Sequence, residues 1–314
     1  AGCAPKTGTE KEMPATGAST SDISWDEECE VLVVGSGYSG LAAAIEAKNA
    51  GADVKIIEKM NRVGGNSAFA AGDMAVCGSK VQAREGIEDS VDAFVSDMLI
   101  AGLYLNDEEK CRLIAEKSNE TWEWSVEMGC TWDKDENGEP WLYPYGGHSI
   151  LRTICQGVGG GSNVTGPLSE KLGEMGVNVE TERMLVQLVQ NDEGRVIGAV
   201  VRDGASDNDV ESGKPVAIHA TKGVVLATGG FGANQDMLVK YQPKLKGYAT
   251  TNQPGATGDG IILAEHAGAA LVDMKQIQAH PTAAPDGTLI SESVRGDGGI
   301  LINAEGKRFT KEIL

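Results

Sequence analysis

Histidine, aromatic residues and closely spaced cysteines are all scarce in this sequence of 314 residues. The four histidines are scattered, and phenylalanine, tyrosine and tryptophan together make up 5%. The six cysteines stand at positions 3, 29, 77, 111, 130 and 155. None of them forms a CxxC or CxxCH spacing, so the sequence contains no attachment site for a c-type haem. Scattered histidines and isolated cysteines likewise indicate no metal site.

Long apolar runs and an excess of basic residues are missing as well. No segment approaches the roughly 18 apolar residues that a membrane-spanning helix needs. Acidic residues outnumber basic ones by 46 to 27, which gives a formal charge of −19. Such a chain repels the phosphates of nucleic acid. The sequence therefore predicts no transmembrane segment and no nucleic-acid partner.

The first 27 residues contain little that a core could bury. They are rich in Thr, Ser, Gly, Pro and charge, which predicts a flexible tail over residues 1–27. The chain opens Ala1-Gly2-Cys3, which resembles the end of a bacterial lipobox. Two interpretations of Cys3 remain. It carries the lipid anchor of an extracytoplasmic domain, or the sequence is truncated and Cys3 has no such role. A cytoplasmic location is the alternative to the extracytoplasmic one. The polar segment after Cys3 favours the anchor.

A glycine-rich turn follows, between an apolar strand and a helix. Residues 31–34, VLVV, form an apolar run without alternation, which is typical of a buried parallel strand. Gly35 permits a tight turn, Gly37 lets the backbone approach a pyrophosphate, and Gly40 lets the following helix lie close to the strand. The free N–H groups and the dipole at the start of that helix favour an anion.

The next residues complete a strand–helix–strand unit. Residues 41–49 have helical composition, and the apolar run 54–57 predicts a second strand that ends at Glu58. An acidic residue at this distance from the glycines can bond the two ribose hydroxyls of a dinucleotide. The alternative is a glycine-rich turn without a ligand, but the complete unit favours a Rossmann-like dinucleotide-binding domain.

The residues after Glu58 distinguish FAD from NAD. The segment NRVGGNS, 61–67, continues directly from the acidic residue, and AAGDM, 70–74, follows. A nicotinamide-binding domain would normally enter another crossover helix there. With these segments the chain resembles the FAD-dependent fumarate reductase and succinate dehydrogenase flavoproteins, most closely the soluble flavocytochrome c-type fumarate and urocanate reductases. The resemblance implies an α/β fold with a glutathione-reductase-type FAD domain and the start of an inserted α+β capping domain.

The resemblance extends from residue 28 to the end of the chain and includes ATGG at 227–230 and GDG at 258–260. The FAD contacts that it implies are Gly35, Gly37, Ser39, Gly40, Glu58, Lys59, Gly64, Gly65, Asn66, Ser67, Ala71, Gly72, Asp73, Ala227, Thr228, Gly229, Gly230 and Asp259. Membrane-bound relatives attach FAD through a histidine near this loop, and residues 60–75 contain none, so we expect non-covalent FAD. Only one dinucleotide fingerprint is present, so an external cytochrome, quinol-linked or flavin carrier is expected to supply electrons.

Further elements are predicted between the first and last motifs. Helical periodicity indicates helices over 90–99 and 107–128, and glycine-rich segments precede two further predicted helices, 163–174 and 261–267. Three apolar stretches, 177–181, 184–190 and 196–201, predict strands of a small sheet. Residues 223–227 predict another buried strand.

The candidate catalytic and substrate-binding residues lie in two segments. These are QAHPT, 278–282, and SESVRG, 291–296, whose residues His280 and Glu292 are twelve positions apart. The resemblance implies that His280 donates a hydrogen bond to a substrate carboxylate and that Ser291 contacts the same group. It also implies that Glu292 and Arg295 form a proton relay. The alternatives are a structural histidine and an ordinary surface ion pair, which stabilises a protein little.

The reaction that the resemblance implies is reduction of an α,β-unsaturated carboxylate such as fumarate. Hydride passes from FAD N5 to the β-carbon, and an arginine then protonates the α-carbon, because a carbanion-like centre takes a proton even from a group with a pKa above about 12. Urocanate-reducing relatives have Tyr and an acidic residue where this chain has Ala279 and Ser293, which disfavours urocanate. The alternatives are a succinate, ketosteroid or aspartate dehydrogenase or oxidase, and a flavin electron-transfer module without its own chemistry.

The predicted organisation is a tail over 1–27, an FAD-binding domain over 28–274 and the beginning of the capping domain over 275–314. Residues 303–314 match the segment that leads to the catalytic arginine, and the sequence stops two positions before it. The predicted reaction therefore applies to the parent protein, and this chain alone is predicted to be inactive.

Overall fold

The computed structural model describes residues 23–144, 147–205, 212–284, 288–296 and 298–310. Its centre is a six-stranded sheet with the strand order β6-β2-β1-β9-β8-β7. The strands are β1 (Glu27–Val34), β2 (Val54–Ile57), β6 (Val179–Glu180), β7 (Arg183–Gln190), β8 (Val196–Asp203) and β9 (Lys214–Leu226). β6, β2, β1 and β9 are parallel neighbours, whereas β9, β8 and β7 form an antiparallel meander. The predicted α/β class is confirmed.

The three strands predicted over 177–201 form, but they extend the main sheet and do not make a small sheet of their own. The physical reason is the length of β9, which has 13 residues. Residues 214–219 of β9 pair with β8, and residues 218–226 pair with β1. One strand thus joins the parallel half to the meander. The strand predicted over 223–227 forms, but Val225 and Leu226 are each 37% exposed rather than buried.

The described residues form eight α-helices. They are α1 (Tyr38–Asn49), α2 (Lys80–Arg84), α3 (Val91–Ala101), α4 (Glu108–Glu127), α5 (Ser162–Glu174), α6 (Gln235–Tyr241), α7 (Asp259–His266) and α8 (Ser293–Gly296). The predicted helices over 90–99, 107–128, 163–174 and 261–267 are confirmed to within two residues at each end. A smaller sheet of β3 (Met74–Ala75), β5 (Thr153–Ile154) and β4 (Leu142–Tyr143) lies outside the main one.

The main core consists of two apolar layers on either side of the sheet. Leu32 and Ile218 belong to one layer, and Val33, Leu41 and Leu168 belong to the other. Alternate residues of β1 thus face opposite layers, as the geometry of a strand requires. Within the described ranges, no helix is both long and apolar enough to cross a bilayer.

The last residues of the predicted tail contact the main sheet. β1 starts at Glu27, and Trp25 stacks on His219 with 4.9 Å between the ring centroids. Gly198 of β8 leaves space for this indole, since a Cβ there would lie 2.8 Å from the Trp25 ring. Residues 25–27 therefore pack against the sheet: the Asp26 N–H donates to the Ala217 carbonyl over 2.9 Å, and β1 begins at Glu27.

Candidate functional site

A groove runs along the carboxyl ends of the parallel strands β1, β2 and β9, where ligands of open α/β sheets bind. The space between its walls is about 800 Å³, including the part open to solvent. The groove is lined by Val34, Gly35, Ser36, Gly37, Ser39, Glu58, Lys59, Gly65, Asn66, Ser67, Arg183, Leu185, Ala227, Thr228, Gly229, Gly230, Gln253, Gly255, Ala256, Asp259 and Gly260.

The glycines of the first turn are required by close backbone contacts. Gly35 has a φ of 103°, and a Cβ there would lie 2.4 Å from the carbonyl oxygen of Ala227. A Cβ on Gly40 would lie 1.9 Å from the carbonyl oxygen of Gly35. Both distances are far below van der Waals contact, so a larger residue would push α1 away from the strands. The roles predicted for Gly35 and Gly40 in the turn and in helix packing agree with this geometry.

The N-terminus of α1 faces the groove and suits an anion. Gly37 is the residue before the helix and provides no capping side chain. The N–H of Tyr38 donates to Ser67 Oγ over 3.1 Å, which holds the loop 64–70 against the helix start. α1 has no acidic residue in its first turn that would repel a phosphate. The N–H groups and dipole therefore fit a pyrophosphate, as the sequence predicts.

Glu58 is 7% exposed and bonds to the glycine turn. Its Oε2 accepts the Ser36 hydroxyl at 2.6 Å and the Ser36 N–H at 3.1 Å, and its Oε1 accepts the Met60 N–H at 2.9 Å. Ser36 Oγ in turn accepts the N–H of Gly64 over 3.1 Å. The carboxylate thus positions the two segments that border the groove, and its predicted bond to the ribose remains a prediction.

Two side chains, Lys59 and Asn66, connect the segment after β2 to the residues before and at the start of α7. Lys59 Nζ lies 2.6 Å from Asp259 Oδ2 and 2.6 Å from Thr257 Oγ1. Asn66 accepts the N–H of Gln253 over 2.7 Å. These contacts hold the start of α7 and the loop before it against the segment after β2, so they close one end of the groove.

The predicted FAD contacts are not all at the groove surface. Gly40, Gly64, Ala71, Gly72 and Asp73 do not line the groove, and Gly72 and Asp73 line a neighbouring cavity instead. Sequence reasoning missed Ser36, Arg183, Leu185, Gln253, Gly255 and Ala256 as lining residues. Ser36 stands inside the glycine motif itself and was detectable from its position. Arg183 and Leu185 reach the groove only because β7 joins the main sheet, which the sequence pattern did not indicate.

A second group of predicted site residues lies in the segment 275–310. His280 Nε2 lies 3.4 Å from Glu292 Oε2, and His280 Nδ1 lies 2.9 Å from the carbonyl oxygen of Thr282. Arg295 Nη1 donates to Thr282 Oγ1 over 2.7 Å. A hydrogen bond from its own backbone amide, assisted by His280, lowers the pKa of Glu292. The structure therefore brings together the residues that the two motifs place twelve positions apart.

The contacts of the predicted relay pair, Glu292 and Arg295, differ from the expected arrangement in one respect. Glu292 and Arg295 lie on one helical turn, but the side-chain hydrogen bonds described for them go to His280 and Thr282 rather than to each other. Ser291 belongs to the same turn, where its carbonyl accepts the N–H of Val294 over 3.3 Å. Thr282, which sequence reasoning did not single out, connects His280 and Arg295. No group of His, Cys, Asp and Glu suited to a metal ion occurs in the part of the chain that the structure describes.

Comparison with known proteins assigns the chain to a family. Residues 30–314 match the family model described as FAD binding domain. The chain is 38% identical over 307 residues to the acrylate reductase flavoprotein subunit of Shewanella woodyi, covering 95% of this chain and 60% of that protein. It is 33% identical to the urocanate reductase of Eggerthella lenta, covering 97% of this chain and 48% of that protein. The chain thus spans about half of the length of these relatives.

Solved structures give the same result. The open conformation of a flavocytochrome c3 fumarate reductase superposes with a TM-score of 0.79 at 36% identity, covering 92% of this chain and 49% of that one. The 3-ketosteroid-Δ4-(5α)-dehydrogenase of Rhodococcus jostii superposes with a TM-score of 0.77 at 31% identity, covering 94% and 63%. The glycine cradle, the helix N-terminus and these matches show that the chain belongs to the FAD binding domain family, among the fumarate reductase and succinate dehydrogenase flavoproteins.

Proposed function

We propose that the full-length protein is an FAD-dependent reductase that transfers hydride to the C=C bond of a small α,β-unsaturated carboxylate. The observation that carries this proposal is the grouping of His280, Glu292 and Arg295 around Thr282 in a chain that also holds an FAD-type groove. The printed names of its relatives, acrylate, fumarate and urocanate reductases, support it.

The residues of this chain have separate tasks in the proposed reaction. Bound FAD supplies the hydride. His280 and Ser291 bind the substrate carboxylate, where negative charge builds up as the hydride arrives, so hydrogen-bond donors there stabilise the transition state. Glu292, a carboxylate at neutral pH, accepts a proton from solvent for transfer through Arg295.

FAD is proposed to bind without a covalent link. The groove is lined by backbone, hydroxyl, amide and ion-paired groups, and residues 60–75 contain no histidine for attachment. Acid precipitation of the full-length protein should release all of the yellow colour into the supernatant. Flavin that stays in the pellet contradicts this part of the proposal.

The proposed substrate is a compact enoate of the fumarate or acrylate type rather than urocanate. Ala279 and Ser293 occupy the positions where urocanate-reducing relatives have Tyr and an acidic residue to bind the imidazole. A methyl group and a hydroxyl at those positions offer a cationic or aromatic ring little binding energy.

An anaerobic oxidation experiment tests the function. The full-length protein is reduced with dithionite and mixed with fumarate, acrylate, cinnamate or urocanate, and flavin absorbance is followed. Rapid reoxidation by fumarate or acrylate is the expected result. Reoxidation by no enoate, combined with reduction of the flavin by succinate or a ketosteroid, would favour the dehydrogenase alternative. Reaction with neither class would favour an electron-transfer module.

The electron donor and the location are parts of the same proposal. An external carrier is proposed because the chain contains one dinucleotide fingerprint and no haem attachment motif. An extracytoplasmic location with a lipid anchor at Cys3 is proposed from the sequence. Cys3 lies outside the described residues, so labelling of cells with a radioactive fatty acid is the direct check.

A further inference from the structure

Thr282 is a half-buried, uncharged residue that contacts three other residues of the cluster. Its hydroxyl accepts a hydrogen bond from Arg295 Nη1 over 2.7 Å and donates one to the Ile290 carbonyl over 2.8 Å. Its backbone carbonyl accepts the N–H of Ile290 over 3.2 Å and lies 2.9 Å from His280 Nδ1. Thr282 is therefore bonded both to the proposed substrate-binding histidine and to the arginine of the proposed relay.

The bonds between Thr282 and Ile290 fasten two short segments of the chain together. Residues 282–284 and 288–290 run antiparallel, and they share an isolated bridge and one further backbone hydrogen bond of 2.8 Å. The segment 291–295, which carries the proposed relay pair, follows Ile290 directly. A displacement at Thr282 would therefore shift the relay segment relative to the histidine two residues before it.

The backbone of Thr282 orients His280 in either of its neutral tautomers. The carbonyl, 2.9 Å from His280 Nδ1, accepts a proton that this nitrogen carries, and the Thr282 N–H, 3.3 Å from Nδ1, donates when the nitrogen is unprotonated. The other ring nitrogen, Nε2, lies 3.4 Å from Glu292 Oε2. The ring thus keeps its orientation while its protonation changes, and Nε2 stays on the side of the relay.

The hydroxyl of Thr282 suits its position between Arg295 and the Ile290 carbonyl. A guanidinium only donates and a carbonyl only accepts, so a group between them has to accept from one and donate to the other. A hydroxyl does both with a single oxygen atom, whereas a valine side chain of the same shape does neither. Proton transfer is sensitive to the placement of the groups involved, so the hydroxyl matters to the proposed relay through the position of Arg295.

We propose that Thr282 is a positioning residue of the proposed reductase, which holds Arg295 at a fixed place relative to His280. The inference rests on the proposed function, in which a proton passes through Arg295 to a substrate whose carboxylate His280 binds. Thr282 itself transfers neither proton nor hydride. Its backbone orients His280 and its hydroxyl orients Arg295, so a substitution of the side chain affects the second task and leaves the first intact.

The first test separates these two tasks by steady-state kinetics. The FAD-loaded full-length protein and its Thr282→Val, Thr282→Ser and Thr121→Val variants reduce fumarate with reduced methyl viologen as the electron donor. Thr121 is the matched control, because its hydroxyl also donates to a backbone carbonyl, that of Lys117 over 2.8 Å, on the exposed surface of α4. We expect Thr282→Val to lower kcat by roughly 10–100-fold and to change KM by less than about twofold.

The other two variants should retain at least about half of the wild-type kcat, because serine keeps the hydroxyl and Thr121 lies outside the cluster. Equal losses of kcat in Thr282→Ser and Thr282→Val would overturn the proposal. A wild-type kcat in Thr282→Val would overturn it as well.

A solvent isotope effect distinguishes positioning from a purely structural role. If Arg295 is displaced, proton delivery becomes slower, so the ratio of kcat in H₂O to kcat in D₂O should be larger for Thr282→Val than for the wild type. A structural role predicts a lower Tm and less folded enzyme, with the wild-type ratio in the enzyme that remains folded. A lowered kcat with an unchanged isotope effect is therefore evidence against positioning.

A double-mutant cycle tests the contact without turnover. Urea unfolding midpoints are measured for Thr282→Val, Arg295→Met and the double variant. Removal of either partner already breaks the bond, so the double variant should lose less than the sum of the two single losses. Strictly additive losses would refute the contact and the proposal with it. A wild-type protein that reduces no enoate refutes the proposed function, and the cycle then decides by itself whether Thr282 holds Arg295.

Discussion

The FAD groove and the cluster around Thr282 are built in different ways. The groove rests on paired strands: Gly35 N–H donates to the Ile57 carbonyl and Ala227 N–H donates to the Val34 carbonyl, each over 2.8 Å. The parallel register of Val34 with Ile57 and with Leu226 brings three strand ends into one row. Backbone hydrogen bonds thus fix the geometry of the groove.

The cluster around Thr282 depends on local turns. Two isolated bridges, Ala283 with Leu289 and Ile302 with Arg308, and the single turn of α8 are the regular elements described between residues 275 and 310. The Glu292 side chain is 61% exposed. We therefore expect substitutions in the sheet region to alter stability and cofactor affinity, and substitutions in the cluster to alter turnover.

The largest effect is expected for Glu292→Gln in the full-length protein. Glutamine keeps the size and hydrogen-bonding reach of Glu292 but cannot carry a proton. The kcat for fumarate should fall by roughly 10²–10⁴-fold, the range typical of a lost proton-transfer group, with little change in KM. The Tm should stay within about 1 °C because the side chain is exposed. A lowered Tm with normal kcat would identify a structural ion pair and refute the relay.

A loss of stability of about 3–5 kcal/mol is expected for Arg152→Met, because it leaves buried carboxylates unpaired. Arg152 is fully buried and contacts Asp89 at 2.9 Å and Asp97 at 2.5 Å. Urea unfolding monitored by circular dichroism measures the change. Arg295→Met is the matched control from the cluster, and it should cost less than about 1 kcal/mol because its surroundings are partly exposed. Equal losses in the two variants would show that the cluster depends on Arg295 as strongly as the packing beside the smaller sheet depends on Arg152.

A smaller effect is expected for Glu58→Ala, which removes the proposed acceptor for the ribose hydroxyls. FAD affinity should fall by about 1.5–3 kcal/mol, measured by fluorescence titration of the apoprotein. Ser36→Ala is the control, since it removes the hydroxyl bonds to Glu58 and Gly64 but keeps the carboxylate. Glu58→Gln should retain more affinity than Glu58→Ala. If Ser36→Ala loses as much affinity as Glu58→Ala, Glu58 acts through the turn and not through the ribose.

The smallest effect is a pH dependence at Glu27. Hydrogen bonding from Arg183, with Lys55 also contributing, lowers the pKa of Glu27 to about 2 from an ordinary value of 4.5. A carboxyl with a lowered pKa in the folded state stabilises the protein above pH 4.5, and this contribution is lost as the pH falls from 4.5 towards 2. The Tm of Glu27→Gln should therefore approach that of the wild type as the pH is lowered through this window. A constant difference in Tm from pH 6 to pH 2.5 would contradict the assigned pKa.

Local sequence patterns determined much of the sheet region. The apolar run before Gly35, the glycine spacing and the acidic Glu58 define the turn, because each depends on residues within one strand–helix–strand unit. The helices α3 and α4 were predicted from periodicity alone for the same reason. The motifs around His280 and Glu292 named the candidate residues of the cluster through a resemblance, without any information on their contacts.

Long-range pairing decided the rest. No local pattern shows that β9 is long enough to pair with both β1 and β8, so the sequence did not reveal that β7 carries Arg183 and Leu185 to the groove. The Lys59–Asp259 contact joins residues 200 positions apart, and the apolar cavity lined by Trp124 and Trp132 forms only where α1, α4 and α5 meet. By itself the sequence determined the turn, the helices and the identity of the cofactor, because their signals are local. The tertiary structure alone decided which side chains line the same groove or cavity, because packing between distant segments depends on the whole chain.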